Sequence, residues 1–253
     1  MMGGLKSDQM NGLIFLYKIF IFLYKYYMSS KLLVLYVFHI YNDRVKQFIN
    51  DAIFYDENID FIIISNDKTH IFEVPSYIKT FVRDNIGYDF GGWSDALLTD
   101  NLYSNYGNFI FVNSSVVGPF MPTYTKVKWT DIYLNGLQNN IKLFGSTINT
   151  CNNPIHKSHV QSYIFAMDKN TLQYLIHCEI FSKTNYAKTF DDAICQKEIL
   201  MSRKIIENNW NIGSLLQHYQ NVDFTFTNKK PEEYNILWNE YQLIFIKGNR
   251  IMM

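Results

Sequence analysis

Cysteine is scarce: 3 in 253 residues. Cys151, Cys178 and Cys195 are odd in number and far apart, which excludes a disulfide framework and a CxxC metal or redox pair. A reducing, cytoplasmic setting fits that usage. An excess of one charge is missing too. The 23 Lys and Arg offset 23 Asp and Glu, the formal net charge is +0, and the pI is about 7.0. That leaves no basic footprint for a nucleic-acid duplex, so nucleic acid is not expected as a partner. There is no G-x-x-x-x-G-K phosphate loop and no G-x-G-x-x-G dinucleotide fingerprint, which argues against the commonest nucleotide-binding folds that carry them. Internal repeats and low-complexity linkers are absent as well.

No apolar run is long enough to cross a bilayer. The longest candidate, Leu13 to Met28, is interrupted by Lys18 and Lys25. No small-residue cleavage site follows it, so it does not read as a cleaved signal peptide. Three readings stay open: an aromatic and basic anchor making peripheral membrane contact, a helix packed on the domain, or a true start nearer Met28. The length predicts residues 1–30 as an apolar and aromatic extension and residues 31–253 as one domain.

What is abundant is aromatic: 20 Phe and 19 Tyr. With frequent Asn, Ile and Lys, this is the set that AT-rich codons encode, so part of the excess is compositional. Lys31 to His39 is a buried strand by its unbroken apolar character. Asn42 or Asp43 can cap a helix over Arg44 to Phe54, where Val45, Phe48, Ile49 and Ile53 share a face. Further strands are predicted at Phe61 to Ser65, Tyr77 to Val82 and Asn108 to Val112. Later come a helix over Val127 to Leu137, strands at Lys142 to Ile148 and His159 to Met167, and helices over Asn170 to Ile180 and Phe190 to Asn208. Short strands are expected at Phe224 to Phe226 and Gln242 to Ile246. Alternating strands and helices with polar residues at strand ends predict a mostly parallel, Rossmann-type α/β sheet flanked by helices, with ligands beyond its carboxyl edge.

Two segments stand apart from this pattern. Arg83-Asp84-Asn85-Ile86-Gly87-Tyr88-Asp89-Phe90-Gly91-Gly92-Trp93 crowds glycine, charge and aromatic rings between a strand and a helix expected over Ser94 to Leu102. A βα turn needs one or two such residues, not most of them. Asn113-Ser114-Ser115-Val116-Val117-Gly118-Pro119-Phe120 follows the next strand. Trp93 has two readings, a stacking surface for a sugar or base and a core residue; Trp129, Trp210 and Trp238 read as packing. His156 and His159 have H-x-x-H spacing with no third ligand evident, which is weak support for zinc.

In this order, with Phe144-Gly145-Ser146, His159-Val160-Gln161-Ser162-Tyr163 and Glu198-Ile199-Leu200-Met201-Ser202, the motifs resemble glycosyltransferases of the rhamnan synthesis protein F type, over about Lys31 to Leu216. Related domains occur in polysaccharide biosynthesis and in large DNA viruses, and are similar to the GT-A fold. The resemblance implies a nucleotide-sugar donor and a glycan acceptor. Asp67 would then accept from the base or ribose, and Arg83 would offer its fork to the diphosphate. Asn85 and Gly87 would let backbone approach the donor, Asp89 would accept from sugar or ribose hydroxyls, and a helix starting near Gly91 would aim N–H groups at the diphosphate. Asn113, Ser114 and Ser115 stand where such enzymes carry a D-x-D motif for Mn²⁺ or Mg²⁺. No D-x-D occurs in the chain, so the metal stays open. An Arg83–Asp89 pair that only shapes the loop is the competing reading.

Glu198 and Asp191 are candidate bases, because Asp191, Ile194 and Glu198 share one face of an α-helix by their spacing. His159 and Gln161 are placed on the acceptor side. Two functions remain: a glycosyltransferase, and a degenerate module that binds nucleotide or glycan without turnover.

Overall fold

A computed structural model describes residues 31–150, 158–225 and 240–248. Of the expectations above, those for residues 13–28, His156 and Trp238 lie outside the described residues.

The chain enters through β1 (Leu32–Phe38), whose seven residues are all buried. Leu33, Leu35 and Val37 point into one apolar layer, and Leu32, Val34, Tyr36 and Phe38 into the other. A strand covered on both faces has no use for alternating polarity, which explains the unbroken run LLVLYVF. Asn42 then caps α1 (Asp43–Asp51), its side chain accepting from the amides of Arg44 and Val45. β2 (Ile59–Ser65) and β3 (Lys79–Val82) follow. Next come α2 (Tyr88–Leu98), β4 (Asn108–Asn113), the short β5 (Val116–Val117) and α3 (Trp129–Asn135).

The second half adds β6 (Ile141–Gly145), the small pair β7 (Ile148–Asn149) and β8 (His159–Val160), β9 (Ile164–Asp168) and α4 (Lys169–His177). A composite helix follows: α5 (Phe190–Asp192), a π-helical stretch (Ala193–Ile199) and α6 (Leu200–Glu207). Then come β10 (Asn211–Ser214), α7 (Glu240–Leu243) and β11 (Ile246–Lys247).

Seven strands form the central sheet in the order β10-β6-β9-β4-β1-β2-β3. β1 pairs parallel with β2 and β4, β2 with β3, and β6 with β10; β9 alone runs antiparallel, between β4 and β6. The sheet is therefore mostly parallel and flanked by helices, as the sequence predicts. Its carboxyl edge collects the ends of β1, β2, β3, β4, β6 and β10 together with the start of β9.

Several boundaries differ from expectation. The loop expected over Asn85 to Trp93 is helical from Tyr88 onward. Its N-cap, Gly87, is left-handed at φ 77° and Tyr88 follows at φ 57°, so the chain turns sharply before the helix begins. Gly91 lies inside α2 although glycine disfavours helix interiors. A Cβ there would sit 2.0 Å from the Ile86 carbonyl oxygen, which no rotamer change relieves. Gly91→Ala is expected to destabilise the protein by about 1–3 kcal/mol despite its better helix propensity, seen as a lower thermal midpoint. The strand expected over Gln242 to Ile246 is α7 followed by the two residues of β11, and Phe224 and Thr225 lie in a turn.

Trp93 belongs to the core. It is fully buried and packs edge-on against Phe111 and Phe165, with centroids 5.5 Å away in both cases. Trp129 is buried and donates to the Ala52 carbonyl at 2.8 Å, and Trp210 packs on Tyr174.

Candidate functional site

The site is built where β1, β2, β3 and β4 end. Arg83, just after β3, is the hub of the donor-loop candidates. Its Nε donates to Asp95 at 2.7 Å, Nη1 to the Asn66 side chain at 3.0 Å, and Nη2 to the Ile86 carbonyl at 2.7 Å. The ion pair that shapes the loop thus exists, with Asp95 as its carboxylate and not Asp89. Tyr186 closes the far side: its hydroxyl donates to Asp95 at 2.5 Å, and its ring lies 5.9 Å from the guanidinium. With three N–H groups spent inward and only 7% of the residue exposed, Arg83 holds the loop in place. Arg83→Met leaves Asp95 half-buried without its cation, and removing one member of such a pair costs about 3 kcal/mol. A lower urea midpoint is the expected reading.

Asn66 ties the same loop to β2. Its Nδ2 donates to the Tyr88 carbonyl at 3.2 Å and to Asn85 Oδ1 at 3.4 Å. His39 Nδ1 donates to the Asn66 carbonyl at 3.1 Å. Asp67, expected at the base or ribose, is occupied locally. Its Oδ1 accepts from the Thr69 amide at 2.8 Å and hydroxyl at 2.6 Å, which holds the carboxyl below its ordinary range. Gly87 packs against Tyr186: a Cβ there would lie 2.8 Å from that ring.

Asp89 sits one residue past the left-handed pair, in the first turn of α2. Asn113 Nδ2 donates to it at 2.9 Å. Burial pushes the Asp89 carboxyl up to about 6; the Asn113 bond opposes this, the Glu198 charge adds to it, and Lys247 and His39 oppose it. The end of β4 is therefore joined directly to the start of α2. The other face of the Asn113 amide is committed as well: Oδ1 accepts from the Ser115 amide at 3.0 Å and hydroxyl at 2.5 Å. This turn does not fit a hard divalent ion, because its one amide oxygen is taken and an N–H points at the nearest carboxylate. Among the described residues no group of three His, Cys, Asp or Glu side chains is placed to hold a metal.

The acidic candidates on the composite helix separate. Glu198 Oε1 meets His159 Nε2 at 3.0 Å, and Oε2 accepts from the Ser162 amide at 3.0 Å and from the Ser162 hydroxyl. Burial alone would raise this carboxyl, but His159 and Ser162 outweigh it and hold it below its ordinary range. Asp192 is consumed in a capping box with Thr189. Asp191 is exposed and makes no hydrogen bond among the described residues, and its neighbour Phe190 touches Tyr88 with centroids 6.2 Å apart. The shared face expected for Asp191 and Glu198 does not form. The π-helical stretch between them puts an extra residue into the turn, so side chains seven apart fall out of line.

Gln161 is buried, its backbone N–H donating to the Thr147 carbonyl and its Oε1 accepting from the Thr147 hydroxyl at 2.9 Å. Asp95, Tyr186 and Ser162 each hold a site residue and were not among the candidates. No local spacing marks Asp95 or Tyr186, because Arg83 reaches them across 12 and 103 residues. Ser162 lies inside a quoted motif, which was a usable signal.

Together these features define an α/β protein with a polar, internally braced site beyond the carboxyl edge of a mostly parallel sheet. The family model of rhamnan synthesis protein F matches residues 34–251, and the chain belongs to that family. The family's name points to polysaccharide synthesis. No curated protein matches the chain. Among the described residues no helix is long and apolar enough to cross a membrane.

Proposed function

We propose that the protein is a glycosyltransferase of GT-A type that moves a sugar from a nucleotide diphosphate-sugar to a glycan hydroxyl. The observation that carries this reading is the joined pair Asp89–Asn113. A half-buried carboxylate stands at the carboxyl edge of the sheet on a left-handed turn that Arg83, Asn66 and Asp95 brace. Asp89 serves as acceptor for a hydroxyl of the donor. Asp191 serves as the base: of the candidate carboxylates on that helix it is the one without a hydrogen-bond partner among the described residues, and its neighbour Phe190 touches Tyr88 of the donor loop. As the acceptor oxygen bonds to the anomeric carbon, its proton passes to Asp191, and the bond to the diphosphate oxygen breaks with its electron pair leaving on the diphosphate. Preorganised positioning supplies most of the rate in such a site.

The test is a melt against UDP-, GDP-, CDP- and dTDP-sugars, followed by assay of nucleoside diphosphate release with a glycan acceptor. A ligand at 100 times its Kd adds about 2.7 kcal/mol, a clear rise in melting temperature. Neither a shift nor release with any donor would sink the reading. The misfit of the Asn113–Ser115 turn to a metal favours a second reading, a module that binds donor without turnover; a shift without release would select it.

A further inference from the structure

We propose that Lys247 and Arg44 hold the donor diphosphate and take up the charge that develops on it as it leaves. This inference rests on the nucleotide-sugar reading above and names the groups that stand in for a divalent ion. With Arg83 committed to Asp95, the charge must come from elsewhere. β5 leaves the Asn113–Ser115 turn, and β11 runs antiparallel to it with Lys247 opposite Val116. The Gly248 amide then donates to the Ser115 carbonyl at 2.7 Å. The late strand is thus laid over the very turn where a D-x-D motif would stand.

Arg44 comes from the other side, in the first turn of α1. Its Nη1 lies 2.5 Å from where a Cβ on Gly248 would be, and the Ser115 carbonyl lies 3.2 Å from the same point. Glycine at 248 leaves the guanidinium its room. Neither cation's side chain has a hydrogen bond or ion pair among the described residues, whereas Arg83 and six lysines are paired with carboxylates. Lys247 is within electrostatic reach of Asp89, and the Tyr36 hydroxyl, fully buried and without a partner, lies in the fields of both Arg44 and Asp89. A buried hydroxyl without a partner, in the field of Arg44, adds a donor to the same corner. Lys supplies a point charge and Arg a planar fork, the pair of groups suited to a diphosphate.

Calorimetric titration of the full chain with UDP, GDP, CDP and dTDP, first in EDTA and then with Mn²⁺, tests this. The diphosphate that binds is expected to bind in EDTA. Lys247→Met and Arg44→Gln are each expected to weaken it about tenfold, the scale of one charge-assisted contact. Affinity for the parent nucleoside should not change, and Lys247→Arg should recover most of the loss, which separates lost charge from lost folding. Binding that disappears in EDTA and returns with Mn²⁺ would overturn the proposal, as would variants that match wild type or lose nucleoside and diphosphate alike. If wild-type protein binds none of the four diphosphates under either condition, the nucleotide-sugar reading itself falls, and this inference with it.

Discussion

Asp89→Asn is expected to melt several degrees above the wild-type protein at pH 7.5 and to bind nucleotide-sugar about 10 to 100 times more weakly. The two effects share one cause. The Asp89 carboxyl is raised by burial from 3.8 to about 6, so the folded state resists its ionisation. Stability falls as pH rises through that interval and stays lower above it. One pKa unit is worth 1.36 kcal/mol, so a shift of this size costs about 3 kcal/mol at neutral pH. Asparagine keeps an oxygen for the Asn113 bond and removes the charge. Below about pH 4 the wild-type side chain is neutral as well, and the advantage should vanish. The affinity loss is the scale of one hydrogen bond to a charged acceptor. For the same reason, donor affinity of the wild-type protein should decline as pH falls through 6. A variant that is no more stable at pH 7.5, or that binds donor normally, would remove Asp89 from the site.

Asp191→Asn is expected to lower kcat by about 10²–10⁴-fold, the usual contribution of a general base, while melting temperature and donor affinity stay at wild-type values. Asp191 is exposed and holds nothing, so its loss should register in chemistry alone. Glu198→Gln provides the contrast. Glu198 anchors His159 and Ser162, and its carboxyl is held below its ordinary range. Its contribution to stability is present above about pH 4.5 and is lost as pH falls through its folded value. The glutamine variant should therefore be less stable at neutral pH, with its activity recovering at lower temperature as the site reorders. If Asp191→Asn keeps full kcat while Glu198→Gln loses it without unfolding, the two roles are exchanged.

The fold was largely legible because its signals are local. The unbroken apolar run of β1, the Asn42 cap and the polar strand ends each reflect a short-range constraint, and together they describe a parallel sheet with its ligands at one edge. The reversed direction of β9 was not legible: an apolar five-residue strand looks the same in either sense. The start of α2 was misread because glycine weighs against a helix, while the left-handed turn at Gly87 and Tyr88 that folds the Ile86 carbonyl onto Gly91 leaves no mark in the apolar pattern. At the site, residue types were readable and partners were not. Arg83 and Asp89 both belong to the carboxyl edge, yet the one is turned inward by Asp95 and Tyr186, which lie far along the chain. Asp191 and Glu198 were placed on one face by α-helical arithmetic that a π-helical stretch does not obey.

The central position of β1 has a consequence for how the chain is made. One edge of that strand is covered once Ile59–Ser65 is available to pair, but the other waits for Asn108–Asn113. A growing polypeptide thus carries LLVLYVF, seven apolar residues without charge or proline, open along one side while the intervening segment is translated. Such a stretch is a template for pairing with another nascent chain. Slow elongation before Asn113, or shortage of a chaperone able to shield an open strand, should therefore reduce soluble yield more than a comparable delay after β4 has docked.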